Sequence, residues 1–226
     1  MGKRRDFDNY GTHTGLARWA VRHAIELAAI SDNHLARILE PCCGDTAPFA
    51  SAGREMGLRP HGYDVRPVDP PLWRDQDPDH LYRETSAAEF DEVWWDQPRF
   101  DVIATNPPFR IGESVIRRSL ELLCPYGAAA FLTKMAFLGT QDRSKLYLER
   151  PPAEVWILTA RPSFTGDGKT DMAQEYCFIF WVGAALDEMR RKWEGQTRIH
   201  WIDNKPLMTE EEAKPRVRIE KEDADG

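Results

Sequence analysis

The run Asn106-Pro107-Pro108-Phe109 combines three groups that can hold a planar amine. The Asn side-chain carbonyl accepts one amine hydrogen, and Pro107, which carries no N–H, contributes its backbone carbonyl as a second acceptor. Phe109 adds a flat face on which an aromatic ring can stack. The tetrad directly follows Phe100-Asp101-Val102-Ile103-Ala104, an apolar run with the composition of a buried strand end. A strand tip that grips an NH₂ group on a flat ring is therefore expected here. Asn-Pro-Pro also suits an ordinary turn, so the elements around it must decide.

Upstream, Leu35 to Glu40 reads as a strand, Pro41-Cys42-Cys43-Gly44-Asp45-Thr46 as a tight turn, and Ala47 to Met56 as a helix. Strand, turn and helix in that order build a nucleoside- or phosphate-binding crevice at the carboxyl edge of a sheet. The next strand, Arg59 to Asp64, ends in an acid about 20 residues after the glycine turn, where a carboxylate can accept both ribose hydroxyls. A third strand is expected over 81–86. Before all of these, Thr14 is placed to cap a helix carrying Leu16, Ala20, Ala24 and Leu27 at helical intervals.

These residues resemble, in type and order, the S-adenosylmethionine-dependent amino-methyltransferases, most closely the DNA adenine-N6 branch. Asn106-Pro107-Pro108-Phe109 matches that family's catalytic motif, and Glu40-Pro41-Cys42-Cys43-Gly44-Asp45 is similar to its cofactor loop, with Thr46 where a further small residue is usual. Asp6 to His13 resembles the segment that closes over the methionine end of the cofactor, with Tyr10 and Thr12 matching best and His13 replacing a common Pro. The resemblance spans roughly residues 6–182. It implies an α/β, three-layer Rossmann-like fold with a seven-stranded, mostly parallel sheet containing one antiparallel strand. It also implies S-adenosylmethionine as cofactor, held by Tyr10, Thr12, Glu40, Pro41, Cys42, Gly44, Asp64, Thr85, Ser86 and Asn106, with the last two residues of the third-strand region, Thr85 and Ser86, touching the cofactor adenine. The implied activity is methyl transfer to the N6 amine of adenine in DNA.

Composition sets the remaining bounds. The chain has 226 residues, 42% of them hydrophobic, enough for a sizeable core without disulfides. Cys42, Cys43, Cys124 and Cys177 form no Cys-x-x-Cys pair, so no metal site is expected. No apolar run is long enough to span a bilayer and no secretion signal is visible, which points to a cytoplasmic protein without membrane contact. A net charge of −7 argues against general affinity for nucleic acid, yet residues 1–24 and 110–150 are each locally +3. Arg110, Lys134, Arg143, Lys145 and Lys169 are accordingly the candidate DNA contacts.

Downstream, a helix is expected at 112–123, with strands at Ala128 to Thr133, Val155 to Thr159 and Glu175 to Val182. One domain over 1–202 is followed by a charged tail, 203–226, whose last part is expected to be mobile. Oligomeric state stays open. An RNA adenine or guanine amine, or a protein glutamine, presents the same planar NH₂, so those substrates remain alternatives. A noncatalytic methyltransferase-like subunit usually loses the ribose acid or the tetrad, and both are present. A dehydrogenase is disfavoured because no Gly-x-Gly-x-x-Gly occurs.

Overall fold

Successive residues of the central strands serve two different cores, which is why the runs 102–104 and 176–182 are continuously apolar. In the computed structural model, which describes residues 11–30, 35–64, 83–84, 100–162, 174–193 and 197–209, Ile38, Val102, Ala104, Phe178 and Phe180 face one buried cluster. Leu39, Ile103, Ala129, Cys177 and Ile179 face the other.

The strands are β1 (Arg37–Glu40), β2 (Arg59–Asp64), β3 (Arg83–Glu84), β4 (Phe100–Thr105), β5 (Leu123–Lys134), β6 (Glu154–Leu158), β7 (Tyr176–Val182) and β8 (Arg198–Ile202). They form one sheet in the order β3-β2-β1-β4-β5-β7-β6-β8. Strand β7 runs antiparallel to both β5 and β6, and the other pairings are parallel. The seven expected strands are present. The eighth, β8, was not expected; it adds a parallel edge beside β6.

Helices α1 (Thr14–Leu27) and α2 (Pro48–Glu55) pack on the first cluster, while α3 (Gly112–Leu122) and α4 (Ser144–Glu149) cover the second. Two more, α5 (Ala184–Trp193) and α6 (Lys205–Thr209), follow β7 and β8. The result is a helix–sheet–helix sandwich. Side chains such as Phe49, Ile103 and Ile116 are fully buried, each contributing roughly 1.5–3 kcal/mol relative to exposure.

Two local expectations are corrected. Thr14 lies inside α1, and the cap is His13, whose Nδ1 accepts the Gly15 amide at 3.2 Å. Strand β5 begins at Leu123, directly on the end of α3, five residues before the expected start. Of the segment set apart as a tail, residues 205–209 form α6 beside α1, with the carbonyl of Leu207 against Gly15. Residues 210–226 lie outside the described part.

Candidate active site

The chain leaves β1 for β2 and β3 on one side of the sheet and resumes with β4 and β5 on the other. The point where the order reverses, between β1 and β4, is where open α/β sheets bind ligands, just beyond the carboxyl ends of the strands. The β1 loop and the Asn106 tetrad both start there.

On the β1 side the loop is built by two carboxylates. Glu40, the last residue of β1, is buried, and its Oε2 accepts the amides of Phe49 (3.0 Å) and Ala50 (2.8 Å). These are two of the amides that a helix start leaves without internal partners. The residue at the usual capping position, Ala47, is left-handed (φ 41°) and makes no side-chain bond, so the strand supplies the cap in its place. Pro48, which has no N–H, opens the helix. Within α2, Gly53 lets the helix lie against Ile38, because a Cβ there would fall 2.6 Å from Ile38 Cγ2. Burial pushes the Glu40 carboxyl well above the ordinary carboxylate range. The two amides oppose this shift and the neighbouring Asp64 charge adds to it.

Asp64, at the tip of β2, is also buried and accepts the Gly44 amide on Oδ2 at 2.9 Å. Gly44 has φ 56°, a conformation that costs a side-chain-bearing residue strain. Asp64 and Gly44, both singled out in the sequence, are thus bonded to each other. The amide of Cys43 adds a second tie, to the carbonyl of Tyr63 at 2.8 Å. Burial, then the charges of Asp64 and Glu40, push the Cys42 thiol far up, with the Thr105 hydroxyl acting in the opposite sense. Both cysteines of the loop are therefore packing groups and not thiolates.

On the β4 side, Asn106 is half-buried directly past Thr105, and Pro107 is buried. The carbonyl of Pro108 closes the turn by accepting the Ile111 amide at 3.2 Å, so the two prolines differ in role. Phe109 is partly buried against the first core cluster, with its ring centroid 6.5 Å from that of Tyr176 at an interplanar angle of 45°. The Lys134 ammonium lies over the Phe109 ring, 3.7 Å from its centroid.

The remaining cations divide into two groups. Arg143 places its guanidinium over Phe137 at 4.1 Å and donates to Thr140 Oγ1, and Phe137 in turn packs on Gly112 just beyond the tetrad. Lys145 is exposed and pairs with Glu149 at 3.7 Å. Arg110 is exposed. Thr12 is buried ahead of α1 and Pro41 is buried at the start of the loop. Tyr10, Thr85, Ser86 and Lys169 lie outside the described residues. Tyr176 was not singled out in the sequence; its place beside Phe109 follows from the antiparallel register that sets it opposite Lys134.

No family model matches the chain, and no curated protein matches it. Solved structures do. A protein from Listeria monocytogenes, assigned as a class I S-adenosylmethionine-dependent methyltransferase, superposes with a TM-score of 0.60 at 15% identity, over 84% of this chain and 65% of that one. The M protein of the type I restriction enzyme EcoKI gives 0.52 at 13% identity, over 79% of this chain and 44% of that one. The methyltransferase domain of METTL16 gives 0.53 at 12% identity, over 72% and 65%. The chain spans just under two thirds of the first of these and less than half of the second. At such identities the likeness is one of fold: this is an α/β, three-layer Rossmann-like domain of the class I methyltransferase type.

Proposed function

We propose that the protein transfers a methyl group from S-adenosylmethionine to the exocyclic N6 amine of adenine in DNA. The observation that carries this reading is a juxtaposition. Asn106-Pro107-Pro108-Phe109 leaves β4 at the switch point of the sheet, beside a β1 loop tied at Gly44 to the β2 acid Asp64.

The residues present fit the cofactor. Asp64 engages Gly44 through Oδ2, and its carboxylate is the group to which a ribose diol would donate. Gly44 in a left-handed turn lets the backbone approach a ligand closely. Pro41 and Cys42 form the loop wall, Thr12 and Tyr10 serve the methionine end, and Thr85 and Ser86 serve the adenine. Glu40 acts by fixing α2 and hence the loop. S-adenosylmethionine supplies a methyl already activated by its sulfonium.

What the chain must then do is orient the amine. Its lone pair is conjugated with the ring, and acceptors at Asn106 and Pro107 draw its hydrogens and help localise the pair on nitrogen. Phe109 holds the swung-out base by stacking, and alignment of the two reactants supplies most of the acceleration. The surplus proton leaves to water after transfer. Arg110, Lys134, Arg143, Lys145 and Lys169 are the proposed contacts to the phosphates of the strand.

The test is methyl transfer from labelled cofactor to duplex DNA, single-stranded DNA, RNA and protein in parallel, with the modified group identified. N6-methyladenine in DNA is expected. Asn106→Ala should abolish turnover while sparing fold and cofactor affinity; near-normal single-turnover methylation by that folded variant would place the chemistry elsewhere.

A further inference from the structure

The end of the sheet opposite β3 is an open strand edge. Strand β8 closes the strand order, and among the described residues it pairs only with β6. The Arg198 amide donates to the Ala153 carbonyl at 3.1 Å, and the Ile202 carbonyl accepts the Thr159 amide at 3.1 Å. Along a strand, alternate residues direct their N–H and C=O groups to opposite neighbours. Residues 198, 200 and 202 therefore serve β6, and Ile199 and Trp201 turn their amides and carbonyls away from the sheet. Their side chains are exposed as well, by 57% and 66%. Beside Val155 and Ile157 of β6, they continue the sheet face of the second cluster. Natural edges are guarded by Lys, Pro or a bulge. The run 198–202 has no Lys or Pro, its register with β6 is unbroken, and Arg198 is bonded to Glu154.

We propose that two copies of this chain dimerise through β8, the two strands running antiparallel about a twofold axis at His200 and joining the sheets into one. The outward residues of β8 are self-complementary about that axis. Ile199 meets the partner's Trp201, and Trp201 meets the partner's Ile199, each pair exchanging both of its N–H···O bonds. The side chains of the same pairs are β-branched against aromatic, a favourable cross-strand combination. Arg198 falls opposite the partner's Ile202 and Thr197 opposite the partner's Asp203, so no like charges meet. A twofold axis at Ile199 would set Trp201 against the partner's Thr197, and one at Trp201 would set Ile199 against the partner's Asp203. The axis at His200 alone matches both apolar residues. Strands β5, β7 and β6 separate β8 from β4, so the pairing leaves the crevice at the switch point uncovered.

Sedimentation velocity of the full chain from about 1 to 200 µM tests this, because a patch smaller than a standard interface gives micromolar or weaker affinity. Wild type should shift from the mass of one chain towards that of two. Ile199→Lys places a guard charge on the edge, and Trp201→Pro removes an outward amide that β6 does not use. Each should weaken association by about tenfold or more, with thermal melting as the check on fold. Should Trp201→Pro melt early, Ile199→Lys carries the comparison. The register is read with His200→Cys. Residues facing each other on the axis form a non-hydrogen-bonded pair with Cα atoms about 4.5 Å apart, within disulfide reach. Oxidation with diamide should then yield a peptide linked from position 200 to position 200.

A chain that stays monomeric over the whole range overturns the dimer and leaves the edge to a strand of another protein. Wild-type affinity in a folded Ile199→Lys or Trp201→Pro variant places the contact elsewhere and overturns it too. A dimer sensitive to both substitutions that yields no link between the two positions 200 overturns the axis at His200.

Discussion

Replacing Glu40 by Ala and by Gln separates the two properties of that side chain, acceptor and charge. In the structure one oxygen, Oε2, takes the amides of both Phe49 and Ala50, and the residue is 1% exposed. Glu40→Ala leaves two buried amides without a partner at about 1–3 kcal/mol each, so unfolding free energy should fall by about 2–6 kcal/mol. That is a large share of the roughly 5–15 kcal/mol of an ordinary domain. Glu40→Gln keeps an acceptor oxygen in the same place and removes the charge. Because burial raises the Glu40 pKa well above 4.5 in the folded protein, its contribution is fully present below the ordinary value and is lost as pH rises towards the folded one. Glutamine cannot ionise and so escapes that loss.

Urea unfolding of the three proteins at pH 5 and pH 8 reads both effects. Glu40→Ala should be weaker at both values, whereas Glu40→Gln should gain on wild type between pH 5 and pH 8. If instead wild type gains on Glu40→Gln over that interval, the negative charge is needed and the carboxylate has a cationic or ligand partner. Calorimetric titration with S-adenosylmethionine completes the argument. A Glu40→Gln protein of normal stability should keep affinity within a few-fold, since Glu40 is proposed to shape the loop and not to touch the ligand.

Asp64→Ala should weaken S-adenosylmethionine binding by at least tenfold in the same titration, since charge-assisted bonds are worth about 1.5–3 kcal/mol each; unchanged affinity would remove Asp64 from the ribose site. Glu154, at the amino end of β6 and so on the opposite edge of the sheet from the tetrad, is a stability residue. Burial there would raise its pKa, but bonds from His23 (2.6 Å), Trp156 (2.7 Å) and Arg198 prevail and hold it at about 2 against an ordinary 4.5. The lowered value stabilises the fold by about 3 kcal/mol above the ordinary pKa, and that is lost as pH falls from 4.5 towards 2. Acid titration of Glu154→Gln should therefore show lower stability at pH 7 and a flatter decline, while its methyl transfer at pH 7 matches wild type.

The legible parts of this fold are those governed by burial on both faces or by a fixed motif order. Strands β4 and β7 read as apolar runs, and β1 carries Ile38 and Leu39, because such neighbours each have a core of their own, whereas β2 is placed by its terminal acid. Spacing from the glycine turn singles out Asp64 as a ribose acid; in the structure its carboxylate accepts the Gly44 amide. What escaped was set by distant partners. In strand β8 the exposed Ile199 and Trp201 alternate with Arg198, bonded to Glu154, and His200, stacked on Trp156, so its pattern is of neither a buried nor an ordinary half-buried strand. The cap of α2 comes from nine residues upstream, and no local rule for helix starts looks there. Likewise the meeting of Lys134 with Tyr176 is a fact of antiparallel register, which a single sequence does not reveal.

An acidic protein can still engage a polyanion if its cations are cancelled unevenly. Arg117 pairs with Glu113 and Glu149, Arg118 with Glu121, Lys145 with Glu149 and Arg18 with Glu55. Exposed pairs of this kind contribute about 0–1 kcal/mol to stability and, seen from beyond a Debye length of about 8 Å, present little net field. Among the described residues, Arg110 follows the tetrad in the chain, and Lys134 and Arg143 rest on the rings of Phe109 and Phe137. The Arg143 contact holds a cation in place without neutralising it, because a ring is a quadrupole and not a carboxylate. Under the proposed reading, the grip on a strand is therefore confined to the few phosphates around the extruded base, and the acidic remainder of the surface keeps the rest of the duplex at a distance.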